Sequence, residues 1–479
     1  AQLFQAQTIQ AQALLIAQAE QAQQVHIPAV AHDLPLPLSF AQRRLWFIDQ
    51  LQPGSAQYNM PMALHLHGQL ETEALQQALS ALLQRHAILR TVYATDSNGE
   101  GVQIIRAIDT LPVAMLDLSH LPESAQQQQL QQLVREDAQT PFDLAADLML
   151  RVSLIILAPK QHALLLNMHH IASDGWSMGV MVNEFVTLYR AFALGQTPSL
   201  PELSIQYADY AAWQRATMDD QALTFELDYW RKQLADAPAV HSLPTDRPRS
   251  QQGAAGKLHQ QQFDHTLRQQ LLALSLTHHC TLFMTLQAAF SVLLAQFSHE
   301  TDIVTGTPVA NRQLSQLEPL IGFFVNTLVL RHDLSGNPRF TDLLRRCRET
   351  ALAAYQHQTL PFEMVVETLL SEHGTQQRPL FQIMFTLQNN ERQAIALPDL
   401  TLSPLQASET PAKFDLTLAM AENEQGLVAH WEYDAGLFEH DTITTLADSF
   451  ALLLSAICQQ PEAPLSALPV IPASQHLYL

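Results

Sequence analysis

Two apolar runs, Leu148 to Ala158 and His162 to Met168, flank Pro159-Lys160, and the second ends in His169-His170 shortly before Asp174-Gly175. Nothing else in the chain constrains its fold as strongly. Apolar runs on either side of a tight turn predict a hairpin whose strands both lie in a core. Behind it, Met178, Met181, Val182, Phe185, Val186, Tyr189 and Phe192 recur at helical spacing, with Ser177 as the expected N-cap and Gly195 as the stop. Strand, tight turn and helix is the implied order, a junction that presents side chains at a sheet rim while its flanks stay rigid. Neighbouring residues on an extended strand point to opposite faces, so only one of His169 and His170 can enter a given pocket. The same divergence argues against one metal ion held by both, and no HExxH or CxxC spacing accompanies them. Taken alone, a His-His pair at a strand end is better explained as two structural histidines. The Asp174-Gly175 that follows shifts the balance toward chemistry.

The length of 479 residues suggests two or three compact units, and 47% hydrophobic against 15% charged residues suggests large buried cores. A formal net charge of -21 with no basic cluster argues against a nucleic-acid partner. Ala13 to Ile16 and Leu452 to Ile457 are too short to span a bilayer, and no basic segment opens the chain, so no membrane association and a soluble, cytoplasmic protein are expected. Cys280, Cys347 and Cys458 are widely separated and read as reduced thiols. His278-His279 lacks a following Asp-Gly and reads as structural.

The stretch from His169 to Gly175 resembles the HHxxxDG signature of nonribosomal peptide synthetase condensation domains. Six further stretches resemble that family's motifs, in the family's order. They begin at Ser39 (SFAQRRLW), Arg85 (RHAILRT), Tyr207 (YADYAAW), Ile321 (IGFFVNTL), His357 (HQTLPFE) and Arg378 (RPLFQIMF). The resemblance covers residues 36 to 468. It implies an α/β fold of two chloramphenicol acetyltransferase-like subdomains, arranged as a V-shaped pseudo-dimer with a central tunnel and His170 near its middle. Residues 36–201 would form the N-terminal subdomain and 202–460 the C-terminal one, with no sequence repeat between them. Residues 1–20 resemble the tail of an upstream peptidyl carrier domain, 21–35 a linker, and 461–479 a linker toward a downstream adenylation domain. Trp46, Trp213, Phe323, Phe324 and Phe362, within these motifs, are expected in the core.

The implied reaction is attack by the amine of an acceptor aminoacyl thioester on a donor peptidyl thioester, giving a peptide bond and a free thiol. No Gly-Gly-x-Ser carrier signature occurs, so phosphopantetheine would arrive on an upstream donor carrier and a downstream acceptor carrier, with no cofactor bound by the chain itself. No serine or cysteine sits beside an oriented base, which favours direct transfer over an acyl-enzyme. His170 is the expected catalytic residue, as base or as a group that positions the amine. His169 would orient the turn from the other face. Gly175 would adopt a backbone conformation closed to bulkier residues and could offer its N–H to an oxyanion. Asp174, if buried, requires a cation; by similarity to the family Arg312 is the first choice and Arg85 the second. The first motif, continuing through Phe47 to Gly54, most resembles the subtype joining L-configured donor and acceptor. An epimerisation domain is disfavoured by the Ile321–Leu328 stretch and by the lack of a Glu-Gly-His-Gly-Arg-like segment. An ester-forming variant and a non-catalytic recruitment platform are the remaining alternatives.

Overall fold

The computed structural model describes residues 8–10, 12–14, 26–249, 256–373, 380–388, 396–397, 400–405 and 412–470. Most of the expected carrier tail and linker before residue 26 lies outside them, as do residues 471–479 of the expected connector and Arg378-Pro379 of the last motif.

The first part of the chain runs β1 (Leu36–Pro37), α1 (Phe40–Leu51), β2 (Asn59–Gly68), α2 (Thr72–Arg85), β3 (Thr91–Thr95), β4 (Gly101–Ile105), β5 (Val113–Asp117), α3 (Glu123–Gln139), β6 (Leu150–Ala158), β7 (Gln161–His169) and α4 (Gly175–Ala193). Next come α5 (Tyr207–Thr217), α6 (Asp220–Gln233), β8 (Gly256–Phe263), α7 (His265–Thr277), α8 (Leu282–Ser298), β9 (Asp302–Val309), β10 (Asn326–Asp333), α9 (Phe340–Gln356) and α10 (Phe362–His373). The chain closes with β11 (Ile383–Gln388), β12 (Ala396–Leu397), β13 (Leu400–Pro404), β14 (Leu416–Asn423), β15 (Gly426–Asp434) and α11 (His440–Gln459).

The predicted hairpin is β6 and β7, antiparallel from Leu150 opposite Met168 to Ala158 opposite Gln161. Its uniform apolarity follows from cover on both faces. Leu164, Leu166 and Met168 pack with Leu79 and Leu82 of α2 and Met181 of α4, whereas Ala163 and Leu165 pack with Leu130 and Val134 of α3. Each fully buried Leu contributes roughly 1.5–3 kcal/mol.

Two six-stranded sheets organise the molecule, in the orders β12-β13-β2-β7-β6-β5 and β10-β9-β11-β14-β15-β8, with a small sheet β1-β4-β3 beside the first. Helices α7, α8, α9 and α11 supply the second core. The architecture is thus the α/β pseudo-dimer that the resemblance implies, two mixed sheets each covered by helices.

Packing does not follow chain position at residue 202. Strand β13 pairs with β2, from Leu400 opposite Gly68 to Pro404 opposite Leu64, and so covers an edge of the first sheet that would otherwise be open. Tyr207 and Tyr210 of α5, with Leu317, Leu320, Ile321 and Phe324, also belong to the first core. A second departure concerns α11, which at 20 residues and a mean hydropathy of 1.3 is long and apolar enough to cross a membrane, although no such stretch was expected. Its Ile443, Leu446, Ala447, Phe450, Leu453 and Leu454 are buried in the second core, so the apolarity is that of a core helix.

Candidate active site

Strand β7 ends at His169, a 3-10 turn covers His170–Ala172, and α4 begins at Gly175. The N-cap of α4 is Asp174, whose Oδ1 accepts the Ser177 N–H at 2.8 Å. The expected cap at Ser177 is therefore corrected: the helix starts three residues earlier, because the Asp174 carboxylate reaches a free N–H of the first turn, that of Ser177.

His170 donates its backbone N–H to the Tyr58 carbonyl at 2.9 Å, and its ring Nδ1 lies 2.8 Å from the Ser173 carbonyl. A carbonyl oxygen only accepts, so Nδ1 carries the proton and Nε2 presents a lone pair. Phe323 stands edge-on to the ring, centroids 4.8 Å apart. Burial, reinforced by the positive charge of Lys413, pushes the imidazole pKa down to about 4, so the ring is neutral at pH 7. The residue is half-buried, not sealed from solvent. His169 is buried between Tyr58 and Phe142, with its Nδ1 accepting the Ile171 N–H at 3.1 Å. Burial and its charged-form repulsion with His170 push it down to about 3. The two rings thus meet different neighbours, and His169 supports the turn.

Asp174 is bound on both oxygens. Oδ2 accepts the N–H groups of Phe324 and Val325 at 3.0 and 3.1 Å, and Oδ1 lies 3.3 Å from Arg312 Nη2, with both side chains 2% exposed. Arg312 also donates to the Ser177 hydroxyl at 2.7 Å and to the carbonyls of Leu317 and Leu320, and its guanidinium lies 4.1 Å from the centroid of Phe324. The Ser177 hydroxyl exchanges hydrogen bonds with Gly322, donating to its carbonyl at 2.8 Å and accepting its N–H at 3.0 Å. Arg85 does not take part. It binds Glu184 of α4 at 3.0 Å, beside a 2.6 Å contact from His86 to the same carboxylate. The site thus joins His169, His170, Asp174, Gly175 and Arg312 and leaves Arg85 outside.

Gly175 has no positive φ, and a Cβ placed there would meet nothing within 4 Å. The expectation of a conformation closed to other residues is therefore corrected. What Gly175 supplies is open space and, as the first helical residue, an N–H with no acceptor among the described residues.

Several of the remaining motifs meet the segments 170–177 and 321–326. Ser39 caps α1, and its hydroxyl lies 2.9 Å from that of Tyr207, which donates to the Phe323 carbonyl at 2.7 Å. Gln42 reaches the Ile171 carbonyl at 3.4 Å. Asn326 donates to the carbonyls of Gln358 and Leu360 and accepts the Phe362 N–H. Arg44 of α1 pairs with Glu363 of α10 at 3.0 Å. Trp46 and Phe324 are buried as expected, whereas Trp213, Phe323 and Phe362 are half-buried. One participant lacked a sequence signal as a site residue: Phe323, which read as core. Among the described residues no group of His, Cys, Asp or Glu is placed to hold a metal ion.

The profile of the Condensation domain family matches residues 34–477. The chain is 46% identical over 448 residues, 93% of its length, to one of the linear gramicidin synthase subunits of Brevibacillus parabrevis, and 46% identical over 445 residues, 92% of its length, to another of them. It spans only 6% and 9% of those two proteins. Among solved structures, the X-domain from teicoplanin biosynthesis superposes with a TM-score of 0.81 at 27% identity, covering 93% of this chain and all of that one.

Proposed function

The chain belongs to the condensation domain family, and we propose that it forms a peptide bond between a donor peptidyl thioester and the amine of an acceptor aminoacyl thioester. Both thioesters would ride on phosphopantetheine arms of separate carrier domains, the donor upstream and the acceptor downstream, with an adenylation domain as a neighbour. The synthase subunits it resembles, many times its length, support partners of this kind.

The observation that carries the reading is the fixed tautomer of His170, with Nδ1–H on the Ser173 carbonyl and a neutral ring on a residue that is half-buried rather than sealed. Nε2 accepts a hydrogen bond from the attacking amine and aims its lone pair at the thioester carbonyl. As the C–N bond forms, the carbonyl electrons become an oxyanion, to which the Gly175 N–H is the proposed donor. The oxyanion then collapses, the C–S bond breaks, and the proton shed by nitrogen ends on the departing thiolate. His170 with a pKa of about 4 is a weak base, and stripping a proton from an α-ammonium of pKa ~7.8 would cost about 5 kcal/mol. A neutral amine is already present near pH 7 at roughly one part in ten, a demand of only about 1 kcal/mol. Positioning, with proton acceptance only after attack, is the role this supports.

Direct transfer without an acyl-enzyme is favoured because the Ser177 hydroxyl is engaged with Arg312 and Gly322. The L-to-L subtype follows from the first motif. A second reading, a recruitment platform, is raised by the likeness to an X-domain, which has been solved in a complex with OxyB. The intact histidine turn and the closer likeness to synthase subunits favour catalysis. Defined donor and acceptor carriers, loaded and mixed with the protein, test this by intact mass and by the configuration of the released peptide. An extended peptide retaining L-configuration is expected. An unextended donor overturns amide formation, and an inverted centre indicates epimerisation.

A further inference from the structure

The loop from Ile321 to Val325 is pinned along its backbone, yet one of its rings stands outside the core. Gly322 exchanges two hydrogen bonds with the Ser177 hydroxyl, its N–H donating at 3.0 Å and its carbonyl accepting at 2.8 Å. The Phe323 carbonyl accepts the Tyr207 hydroxyl at 2.7 Å, and the N–H groups of Phe324 and Val325 donate to Asp174 Oδ2. A Cβ at Gly322 would collide with the rings of Tyr207 and Phe324, so the backbone runs as close to them as only glycine permits. Ile321 and Phe324 are buried in the first core. Phe323 is only half-buried, and its ring stands edge-on to that of His170, with centroids 4.8 Å apart and planes at 63°. Ser177 and Asp174, which hold this loop, open the same helix that the histidine turn leads into. The backbone carrying the Phe323 ring is therefore fixed against the segment carrying His170.

We propose that Phe323 is a positioning residue for amide formation: its ring holds the His170 imidazole in the one orientation that keeps Nδ1 on the Ser173 carbonyl and Nε2 available to the amine. This rests on the function proposed above. The torsion that turns a histidine ring about its bond to Cβ has broad, roughly two-fold wells, so a single hydrogen bond from Nδ1 defines the plane of the imidazole loosely. A second contact, from a ring on a fixed backbone, removes that freedom before substrate arrives, and so removes it from the barrier to attack. His169 shows the contrast, being flanked by two aromatic rings, Tyr58 and Phe142, at 6.2 and 5.9 Å. Among the described residues the His170 ring has Phe323 as its one aromatic neighbour. An edge-to-face contact of this kind shifts a conformational population by about 2- to 12-fold. Its loss belongs in turnover, since the orientation of His170 matters to the attacking nitrogen and not to the docking of a carrier.

The test pairs the kinetics of amide formation from loaded donor and acceptor carriers with nitrogen NMR of the full chain labelled at histidine, the His170 signals being assigned with His170→Gln. Phe323→Leu, which keeps an apolar side chain but no ring, should lower kcat by about 2- to 12-fold, with KM for both carriers and the thermal midpoint close to wild type. In the same variant the Nδ1 and Nε2 signals of His170, far apart while one tautomer is fixed, should move toward each other. Phe323→Tyr retains the ring and should keep the signals apart and recover kcat. A purely structural role would lower the thermal midpoint and leave the tautomer alone. Unchanged kcat in Phe323→Leu, a loss carried by KM, a loss of kcat with both signals unmoved, or a Phe323→Tyr no better than Phe323→Leu overturns the proposal. Signals that move as stated in a protein that forms no amide would overturn the reaction and leave the ring contact standing.

Discussion

At the residue scale, one hydrogen bond to a carbonyl decides which nitrogen of His170 carries the lone pair. Replacing the ring should therefore remove function without unfolding the protein. His170→Ala should cut amide formation by at least ~100-fold, a loss typical of deleting a positioned polar group, while the thermal midpoint stays close to wild type. Undiminished product would remove His170 from the mechanism. His332 makes a contrasting case. It is 2% exposed on β10, neither ring nitrogen has a partner among the described residues, and burial pushes its pKa down to about 4. The unfolded chain takes up that proton as pH falls through ~6.5 and the folded chain does not, so stability is present above that pH and is lost progressively down to about 4. His332→Leu should raise the unfolding free energy by about 2 kcal/mol more at pH 5 than at pH 7.5, measured by urea titration at both. An equal change at the two pH values would contradict this. What the sequence disclosed at this scale was the identity of the histidines and of Asp174. It misread Gly175, since glycine at a helix start leaves the same letter as glycine in a strained turn. It also left Phe323 as core, because an aromatic residue packed on the His170 ring looks in sequence like any other.

At the scale of elements, Asp174 caps α4 and, through two backbone N–H groups and Arg312, fastens that helix to the loop ahead of β10. Asn is also a good N-cap, so Asp174→Asn preserves the capping bond but leaves Arg312 buried without its counter-charge. The variant should lose about 3 kcal/mol of stability, and pairing it with Arg312→Met should lose clearly less than the sum of the two single changes. Additive losses in a double-mutant cycle would show that the ion pair does not couple the elements. The hairpin was legible because its residues are apolar on both faces. The helix start was not, since Ser177 and Asp174 are both capping residues and the choice between them depends on Arg312 and Gly322, distant in sequence, claiming the serine hydroxyl.

At the scale of the whole molecule, the two α/β halves share elements. β13 completes the first sheet, and α5 with residues 317–324 completes the first core. Thermal unfolding should then show one calorimetric transition, and a fragment ending at residue 201 should fail to fold as a soluble unit, with the edge of β2 unpaired. Two separated transitions, or a well-folded fragment by circular dichroism and size exclusion, would refute this. Seven motifs made the family and fold class readable, yet no local pattern announces that residues 400–404 return to the first sheet. Their alternation fits any strand, and only long-range pairing selects the partner.

The bonds from Phe324 and Val325 to Asp174 span 150 and 151 residues. On a translating ribosome the histidine turn emerges well before the loop that secures it, an interval on the order of ten seconds at bacterial speeds. Until that loop appears the carboxylate keeps its local cap on Ser177 but Oδ2 has only water, so the histidine turn is not yet fastened to the rest of the molecule.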